Sequence, residues 1–252
     1  MENLWEIPLI LVTGVFAGFL NTVAGGGSLL TLPVLIFLGL STADANGTNR
    51  VALFVQNASA IMGFRRKGVS DFGYSLLLTV PMLFGAASGA LKAVSISDDW
   101  FLRILSGVMI AVLFLTLFNP TKKLQGGVEN LSRKRMSIAV VTFWALGYYG
   151  GFIHAGNGFL IIAALTLINA FDLVRANAIK VFAIFFYTII ALGVFIVKVD
   201  INWGLGLTLA VGNATGAWIG SHWAVDKGEK WIKAVLVVTV IALAIRLFWK
   251  TL

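Results

Sequence analysis

Three basic side chains lie inside stretches of the sequence that are otherwise apolar. Arg50 follows the letters ANGTN and begins one such stretch, Lys180 lies almost at the equivalent point of a later one, and His154 ends a third. A buried positive charge needs a negative partner. All 11 acidic residues fall at segment ends or in loops, so an anionic ligand would meet this need. A cation site or a carboxylate proton relay would require a buried Asp or Glu.

The same three residues also have simpler explanations. Arg50 and Lys180 could extend to a membrane interface, or pair with Asp44 and Asp172 across the short loops. His154 could be a hydrogen-bonded polar residue within a helix bundle. These alternatives stay open at the level of the sequence.

Two glycine-rich stretches stand close to these cations, at residues 24–27 (AGGG) and 155–158 (AGNG). Each comes before an apolar run, 28–40 or 158–171, that reaches only ~20 Å as a helix and cannot cross a ~30 Å hydrocarbon core. Irregular backbone at membrane depth is tolerated only where it is buried in protein or lines a cavity. We expect short helices to begin at Ser28 and Phe159, with free N–H groups that attract anions.

The two breaks belong to an internal repeat. At an offset of 131 positions the halves align without a gap, and the matches include Gly25 with Gly156, Asn46 with Asn177, Lys67 with Lys198 and Trp100 with Trp231. The chain is therefore divided into a first transmembrane repeat, residues 1–118, a basic cytoplasmic linker, 119–136, and a second transmembrane repeat, 137–252. Glycines at 85, 89, 216 and 220 have a spacing that predicts close helix packing.

Composition assigns the class of protein. Hydrophobic residues make up 59% of the 252 residues and charged residues only 12%, against about 25% charged in soluble domains. We predict one integral membrane domain, an all-α polytopic protein. Its net charge of +8 comes from basic residues in short loops, which indicates the positive-inside bias and not nucleic-acid binding. Since the chain has no cysteine, disulfides, thiolate metal sites and cysteine nucleophiles are excluded.

The orientation of the two repeats depends on the broken segments. If each broken pair is a re-entrant hairpin, each half crosses the membrane three times and the repeats are inverted. If each pair makes one net crossing, the repeats are parallel. The distribution of Lys and Arg over the loops slightly favours inverted repeats, with the linker inside.

Two quoted stretches carry a family resemblance: GFLNTVAGGGSLLTLPVLIFLGLSTADANGTNRVALFVQNASA and GYYGGFIHAGNGFLIIAALTLINAFDLVRANAI. In both, a glycine-rich break is followed by an alanine-asparagine start to the next helix. The chain resembles the TauE/SafE family of membrane permeases, also called the toluenesulfonate uptake permeases, over nearly its whole length. The resemblance implies transport of sulfite, sulfonates or related small anions, with substrate and direction differing between members. One departure is Asn157, where the first break has Gly26.

We therefore expect a secondary transporter that binds a small sulfur-containing anion near the membrane midplane, between the two broken helices, and works by alternating access. The glycine turns would offer backbone N–H groups to the anion. Ser28 and the asparagine amides would supply side-chain donors, and Arg50 or Lys180 would supply the positive charge. The candidate substrate-binding residues are Asn21, Gly25, Gly26, Gly27, Ser28, Asn46, Asn49, Arg50, His154, Gly156, Asn157, Gly158, Asn177 and Lys180. An anion channel, or a permease for a non-sulfur carboxylate, is the alternative.

No enzyme is predicted, because the sequence lacks the HExxH and GxSxG motifs and an intramembrane carboxylate pair. No catalytic residue, metal site or cofactor is expected. The expected partners are the small anion and the lipid bilayer of a prokaryotic inner membrane, with no nucleic acid. Without a nucleotide-binding GxxxxGK[ST] motif, coupling to H⁺ through His154, coupling to Na⁺ and uniport all remain open, as does a homo-oligomer.

Overall fold

The computed structural model describes residues 5–117, 129, 131–228, 231, 232, 234 and 235. Within 5–117 and 131–228 the chain is helical, with no strand, which confirms the all-α class. The helices are α1 (Glu6–Val23), α2 (Ser28–Phe37), α3 (Thr42–Arg66), α4 (Phe72–Ala93), α5 (Asp98–Leu117), α6 (Arg133–Phe152), α7 (Asn157–Asn169), α8 (Leu173–Lys198) and α9 (Trp203–Lys227). Most of the predicted linker and of the last predicted segment, 231–249, lies outside the described residues.

The first turn of α6 lies within the predicted linker. Helix α6 begins at Arg133, so three basic residues assigned to the linker form its first turn. One of them, Arg135, donates from Nη1 to the carbonyl of Ile168, 2.6 Å away, in the last turn of α7. A cation is favourable at the C-terminal end of a helix dipole, which explains why this basic residue is drawn into the folded part of the chain.

Three of the described helices are long and apolar enough to cross a membrane: α1, residues Gly73–Ala93 of α4, and α8. Helix α3 is longer than α1 but much less apolar. Its polar residues face the protein interior, since the side chains of Asn46, Asn49, Arg50, Gln56 and Asn57 are at most 1% exposed. The low hydropathy of α3 thus reflects an inward polar face.

Each short helix folds back along the helix before it. In the first pair, Ile10 near the start of α1 and Leu35 near the end of α2 share one core cluster. In the second pair, Phe143 of α6 and Leu165 of α7 share another. In both broken pairs the short helix therefore packs back against the longer helix as a hairpin.

Glycines bring α1 against α9 and α6 against α4. A Cβ on Gly216 would lie 2.8 Å from Phe19 N, and one on Gly89 would lie 2.9 Å from Phe152 N. The predicted close packing at positions 85, 89, 216 and 220 is confirmed, because an added Cβ at each would meet the backbone of a neighbouring helix. Backbones approach this closely only where side chains are absent.

The contacts also fix helix directions. Along α1 and α9, Gly212 meets Leu11 and Gly220 meets Phe19, so these helices run in the same direction. Helix α3 runs with them, since Gln56 binds Asn213 near the middle of both helices and Lys67 binds Asp226 at their ends. These three helices are called the α1/α3/α9 group below.

A second set, the α4/α6/α8 group, contains one helix from the first half of the sequence and two from the second, the reverse of the α1/α3/α9 group. Helices α4 and α6 run in the same direction, because Met82 meets Gly147 and Ala86 meets Gly151. Helix α8 begins beside the start of α4, where Arg175 forms an ion pair with Asp71. Each group thus combines helices from both halves of the sequence.

The two groups meet mainly along α3 and α8, which run in opposite directions. Arg50, near the start of α3, lies over the ring of Phe195 near the end of α8, at 5.5 Å. Phe54 stacks on Phe185 at 5.0 Å further along. The hairpins lie beside this crossing, which positions the candidate site.

Candidate functional site

The two breaks are in direct contact at the centre of the protein. The first break, residues 24–27, has a left-handed residue at Gly25, with φ +97°. A Cβ on Gly25 would lie 2.5 Å from the amide nitrogen of Phe159, in the first turn of α7, and one on Gly26 would lie equally close to the Phe159 ring. The glycines therefore allow the first hairpin to touch the second.

The second break lies two residues earlier than predicted, at residues 153–156. Its left-handed residues are His154, with φ 60°, and Gly156, with φ 70°. Asn157 and Gly158 already belong to α7, which begins at Asn157 and not at Phe159. The prediction was wrong by two residues because the gapless alignment paired glycines by residue type. In the structure the chain reverses where φ is positive, and that position is His154.

Arg50 is completely buried and binds the C-terminal end of α6. Its Nη1 donates to the carbonyl of Gly150 at 2.6 Å and its Nη2 to that of Gly151 at 2.8 Å. Asn46, one turn earlier on α3, donates to the carbonyl of Phe152 at 2.8 Å and accepts from Arg50 at 3.3 Å. Helix α3 of the first half therefore caps the broken helix of the second half.

Lys180 makes the corresponding contacts from the second half of the chain to the first. Its Nζ lies 2.7 Å from the carbonyl of Asn21, 2.8 Å from that of Thr22 and 2.6 Å from the side-chain oxygen of Asn177. Asn177 donates to the carbonyl of Val23 at 3.0 Å. Helix α8 of the second half thus caps the broken helix α1 of the first half.

Both simple explanations for the two cations are wrong. Neither side chain extends to an interface, because both are fully buried. Neither pairs with the acidic residue expected across the loop: Asp44 binds Ser41 and the amide of Asp200, and Asp172 caps the start of α8. The partners are main-chain carbonyls, which carry the negative end of the helix dipole.

The cross-caps refine the internal correspondence between the halves. The capped carbonyls of Asn21, Thr22 and Val23 match those of Gly150, Gly151 and Phe152, an offset of 129 positions. Helices α3 and α8 begin at an offset of 131. The gapless alignment therefore fails by two residues at the breaks, and Gly25 corresponds to His154 rather than to Gly156.

A hydrogen-bond network surrounds the second break. His154 Nδ1 is hydrogen-bonded to the hydroxyl of Tyr187 on α8. Asn157 donates from Nδ2 to the same hydroxyl at 3.0 Å and to the carbonyl of Leu146 at 3.3 Å. Tyr149 donates to the carbonyl of Ala155. The first break has Gly25 at the position of His154.

Several polar atoms of this region are buried without a hydrogen-bond partner. Among the predicted site residues and Thr22, the unpartnered atoms are Asn21 Nδ2 and Oδ1, Thr22 Oγ1, Ser28 Oγ, Asn49 Nδ2, Arg50 Nε, His154 Nε2 and Asn157 Oδ1. A buried polar group without a partner costs about 1–3 kcal/mol. Such a concentration indicates a place where a polar ligand or water completes the hydrogen bonds.

The predicted site residues are all buried, and they form three connected sets. Gly25 meets Gly158, Gly26 lies against the ring of Phe159, and Gly27 lies against Asn21. Arg50 and Asn46 bind α6. Lys180 and Asn177 bind α1. Asn49 accepts from Thr31, one turn after Ser28, at 2.8 Å. His154 and Gly156 lie within the second break, and Asn157 follows it as the first residue of α7.

The sequence did not single out Tyr187, Thr22, Thr31 or Thr188, which are also buried here. A signal for Tyr187 was present, since the offset of 131 aligns it with Gln56, another buried polar residue in an apolar helix.

Comparisons with known proteins identify the family of the chain. The family model described as "Sulfite exporter TauE/SafE" matches residues 10–247. The chain belongs to the TauE/SafE family. A probable membrane transporter protein, ORF9, from Sinorhizobium sp. is 31% identical over 242 residues, covering 96% of this chain and 92% of its own length. The probable membrane transporter protein YfcA of Escherichia coli K12 is 28% identical, covering 96% and 90%.

No solved structure matches the chain. With apolar helices of spanning length, this TauE/SafE member is a membrane protein. Both relatives are named as probable membrane transporters.

Proposed function

We propose that this TauE/SafE protein is a secondary transporter for small sulfur-containing anions, such as sulfite or a sulfonate, in the cell membrane of a prokaryote. The proposal rests on family membership, on bacterial relatives named as probable membrane transporters, and on the chemistry of the breaks. The substrate would bind between the two hairpins.

The observation that carries the anion is the charge balance of the interior. Arg50 and Lys180 are both fully buried, whereas none of the acidic residues that the structure describes is buried. The carbonyl end of a helix supplies only about half a negative charge. Two such ends leave roughly one positive charge uncompensated by this estimate, which an anion would balance.

The two cations would have different roles. An ammonium group has three N–H donors, and the three of Lys180 are matched by three acceptors. Arg50 keeps Nε–H without a partner. We therefore assign direct contact with the anion to Arg50, together with unpartnered donors such as Asn49 Nδ2 and Ser28 Oγ, and a positioning role to Lys180.

We further propose inverted repeats and alternating access. The equivalent helices α3 and α8 run in opposite directions, and each broken pair is a hairpin, as the inverted arrangement requires. Two polar recesses lie at opposite ends of the α3–α8 pair: about 490 Å³ beside Asp44 and Asp200, and about 520 Å³ beside Asp71 and Arg175. Relative motion of the two helix groups would open one recess or the other to the breaks.

The orientation follows from the basic residues. The ends of α3 and α9 and the starts of α6 and α8 lie at one end of the bundle and carry Arg65, Arg66, Lys67, Lys227, Arg133, Lys134, Arg135 and Arg175. The start of α3 and the end of α8, at the other end, are flanked by Asp44 and Asp200. By the positive-inside rule the basic end faces the cytoplasm.

A serine variant tests the site without disturbing the fold. Ser28 Oγ is buried and unpartnered, so Ser28→Ala orphans no other group, and we expect an unchanged or slightly higher melting temperature. An anion that binds the folded state raises this temperature by mass action. We expect sulfite, sulfoacetate or toluenesulfonate to stabilise the wild type in detergent more than matched carboxylates do, and Ser28→Ala to reduce this shift.

The matched control is Ser59→Ala. Ser59 Oγ donates to the carbonyl of Ala214 at 2.8 Å. Its loss should lower the free energy of unfolding by about 1 kcal/mol, the value of one hydrogen bond, and so lower the melting temperature, while the anion-induced shift stays at the wild-type value. Equal anion shifts in the wild type and both variants would remove Ser28 from the site. No shift with any anion would contradict the proposed substrate class.

A further inference from the structure

We propose that His154 binds the transported anion as a neutral hydrogen-bond donor through Nε2–H, and that Tyr187 and Asn157 hold the imidazole in this tautomer. The inference rests on the proposed anion transport and assigns His154 a role other than carrying a proton.

The direction of the hydrogen bonds follows from the acceptor at Leu146. A backbone carbonyl only accepts, so the group of Asn157 that lies 3.3 Å from Leu146 O is its NH₂. The same NH₂ lies 3.0 Å from the Tyr187 oxygen, which must accept from it. A hydroxyl has one hydrogen to donate, and among the described residues the Tyr187 hydroxyl has no acceptor other than Nδ1 of His154, to which we therefore assign this hydrogen.

An imidazole that accepts at Nδ1 carries its hydrogen on Nε2 when it is neutral. His154 is 1% exposed, and its Nε2 has no hydrogen-bond partner. The side chain therefore presents one unused N–H donor inside the protein, beside the contact between the two hairpins. An oxygen atom of a small oxyanion is the acceptor that fits this donor.

The backbone points to a role for this side chain. His154 has φ 60°, and Gly25, its counterpart in the first break, has φ +97°. Left-handed backbone is unfavourable for a residue with a Cβ and is readily adopted by glycine. A histidine held in this conformation, where the other break has glycine, is typical of strain maintained at a functional position.

The electrostatic surroundings suit an anion at Nε2. The charged and titratable groups that face the imidazole are Arg50 from α3 and Lys180 and Tyr187 from α8. An anion that reaches His154 therefore enters a region that two cations have already made positive. A neutral donor adds a hydrogen bond there without adding a third charge.

Nitrogen NMR reads the tautomer directly, because the chain has two histidines. In His222→Gln protein labelled with ¹⁵N-histidine, we expect a neutral ring at pH 7 with a protonated Nε2 and an unprotonated Nδ1. Tyr187→Phe removes the hydroxyl and should produce a mixture of the two neutral tautomers. An imidazolium signal, an Nδ1–H ring, or an unchanged tautomer in Tyr187→Phe would overturn the assignment.

Binding then tests the donor role, with sulfite and sulfoacetate as probes. His154→Gln keeps a side-chain N–H donor at a similar distance from the backbone, and His154→Leu removes it, while both keep a Cβ at the left-handed position. We expect the Kd to rise about tenfold or more for Leu, the range of a hydrogen bond to a charged group, and much less for Gln. Melting temperatures of the apo variants verify that both are folded.

The two proposals fail in different ways. If the wild type binds a probe and both His154 variants bind it equally well, the donor role is wrong and anion transport stands. If the wild type binds neither probe, the proposed substrate class and the donor role are both overturned.

Discussion

Gly25→Ala is expected to prevent assembly of the two hairpins and to abolish transport. The added Cβ would collide with the backbone of Gly158 and Phe159, which cannot move without separating the breaks. Left-handed strain adds about 1–2 kcal/mol and overpacking about 1–3 kcal/mol. Thermal unfolding in detergent and uptake into proteoliposomes would measure both consequences.

Gly39→Ala is the matched control for this substitution. Gly39 has φ +92°, almost the value of Gly25, but no atom lies within 4 Å of an added Cβ. The Gly39→Ala variant should therefore lose only the stability that corresponds to the backbone strain, and it should retain transport. If both variants lose the same stability, the contact between the breaks contributes nothing, and the tight-packing explanation is wrong.

Lys180→Met is expected to have an effect of similar size for a different reason. The ammonium group provides three hydrogen bonds in a fully buried site. Its loss leaves the carbonyls of Asn21 and Thr22 buried without donors, at about 1–3 kcal/mol each. We expect a large drop in melting temperature and no transport, even though Lys180 does not contact the anion in our proposal.

Lys198→Met provides the control on the same helix. Lys198 lies at the exposed end of α8, so the same chemical change there should leave stability within about 0.5 kcal/mol of the wild type. A Lys180→Met protein as stable as Lys198→Met would show that the end of α1 does not depend on its cap.

The sequence allowed the broken helices to be predicted because glycine runs and short apolar segments have direct physical consequences. The first short helix begins at Ser28, as expected. The second begins two residues early because His154 adopts a left-handed conformation, and no residue type other than glycine announces such a conformation reliably.

Burial of Arg50 and Lys180 was one of the alternatives that the sequence left open, and their partners could not be predicted. Every helix ends in backbone carbonyls whatever its residue types, so the sequence does not indicate which carbonyls bind a given cation. Whether Arg50 meets Asp44 or Gly150 depends on how the two halves pack, and that information lies in contacts between residues about a hundred positions apart. Tyr187 was missed for the same reason: its partner His154 lies on another segment.

The exchange of helices between the two groups has a consequence for biosynthesis. The glycines of α1 pack against α9, which the ribosome completes only after most of the chain has entered the membrane. Until then α1 has no surface to cover its small residues, and its capping lysine on α8 is also made late. Contacts between such distant segments slow assembly and prolong the exposure of incomplete surfaces. We therefore expect the amino-terminal hairpin to complete its packing only after the second half of the chain has been inserted.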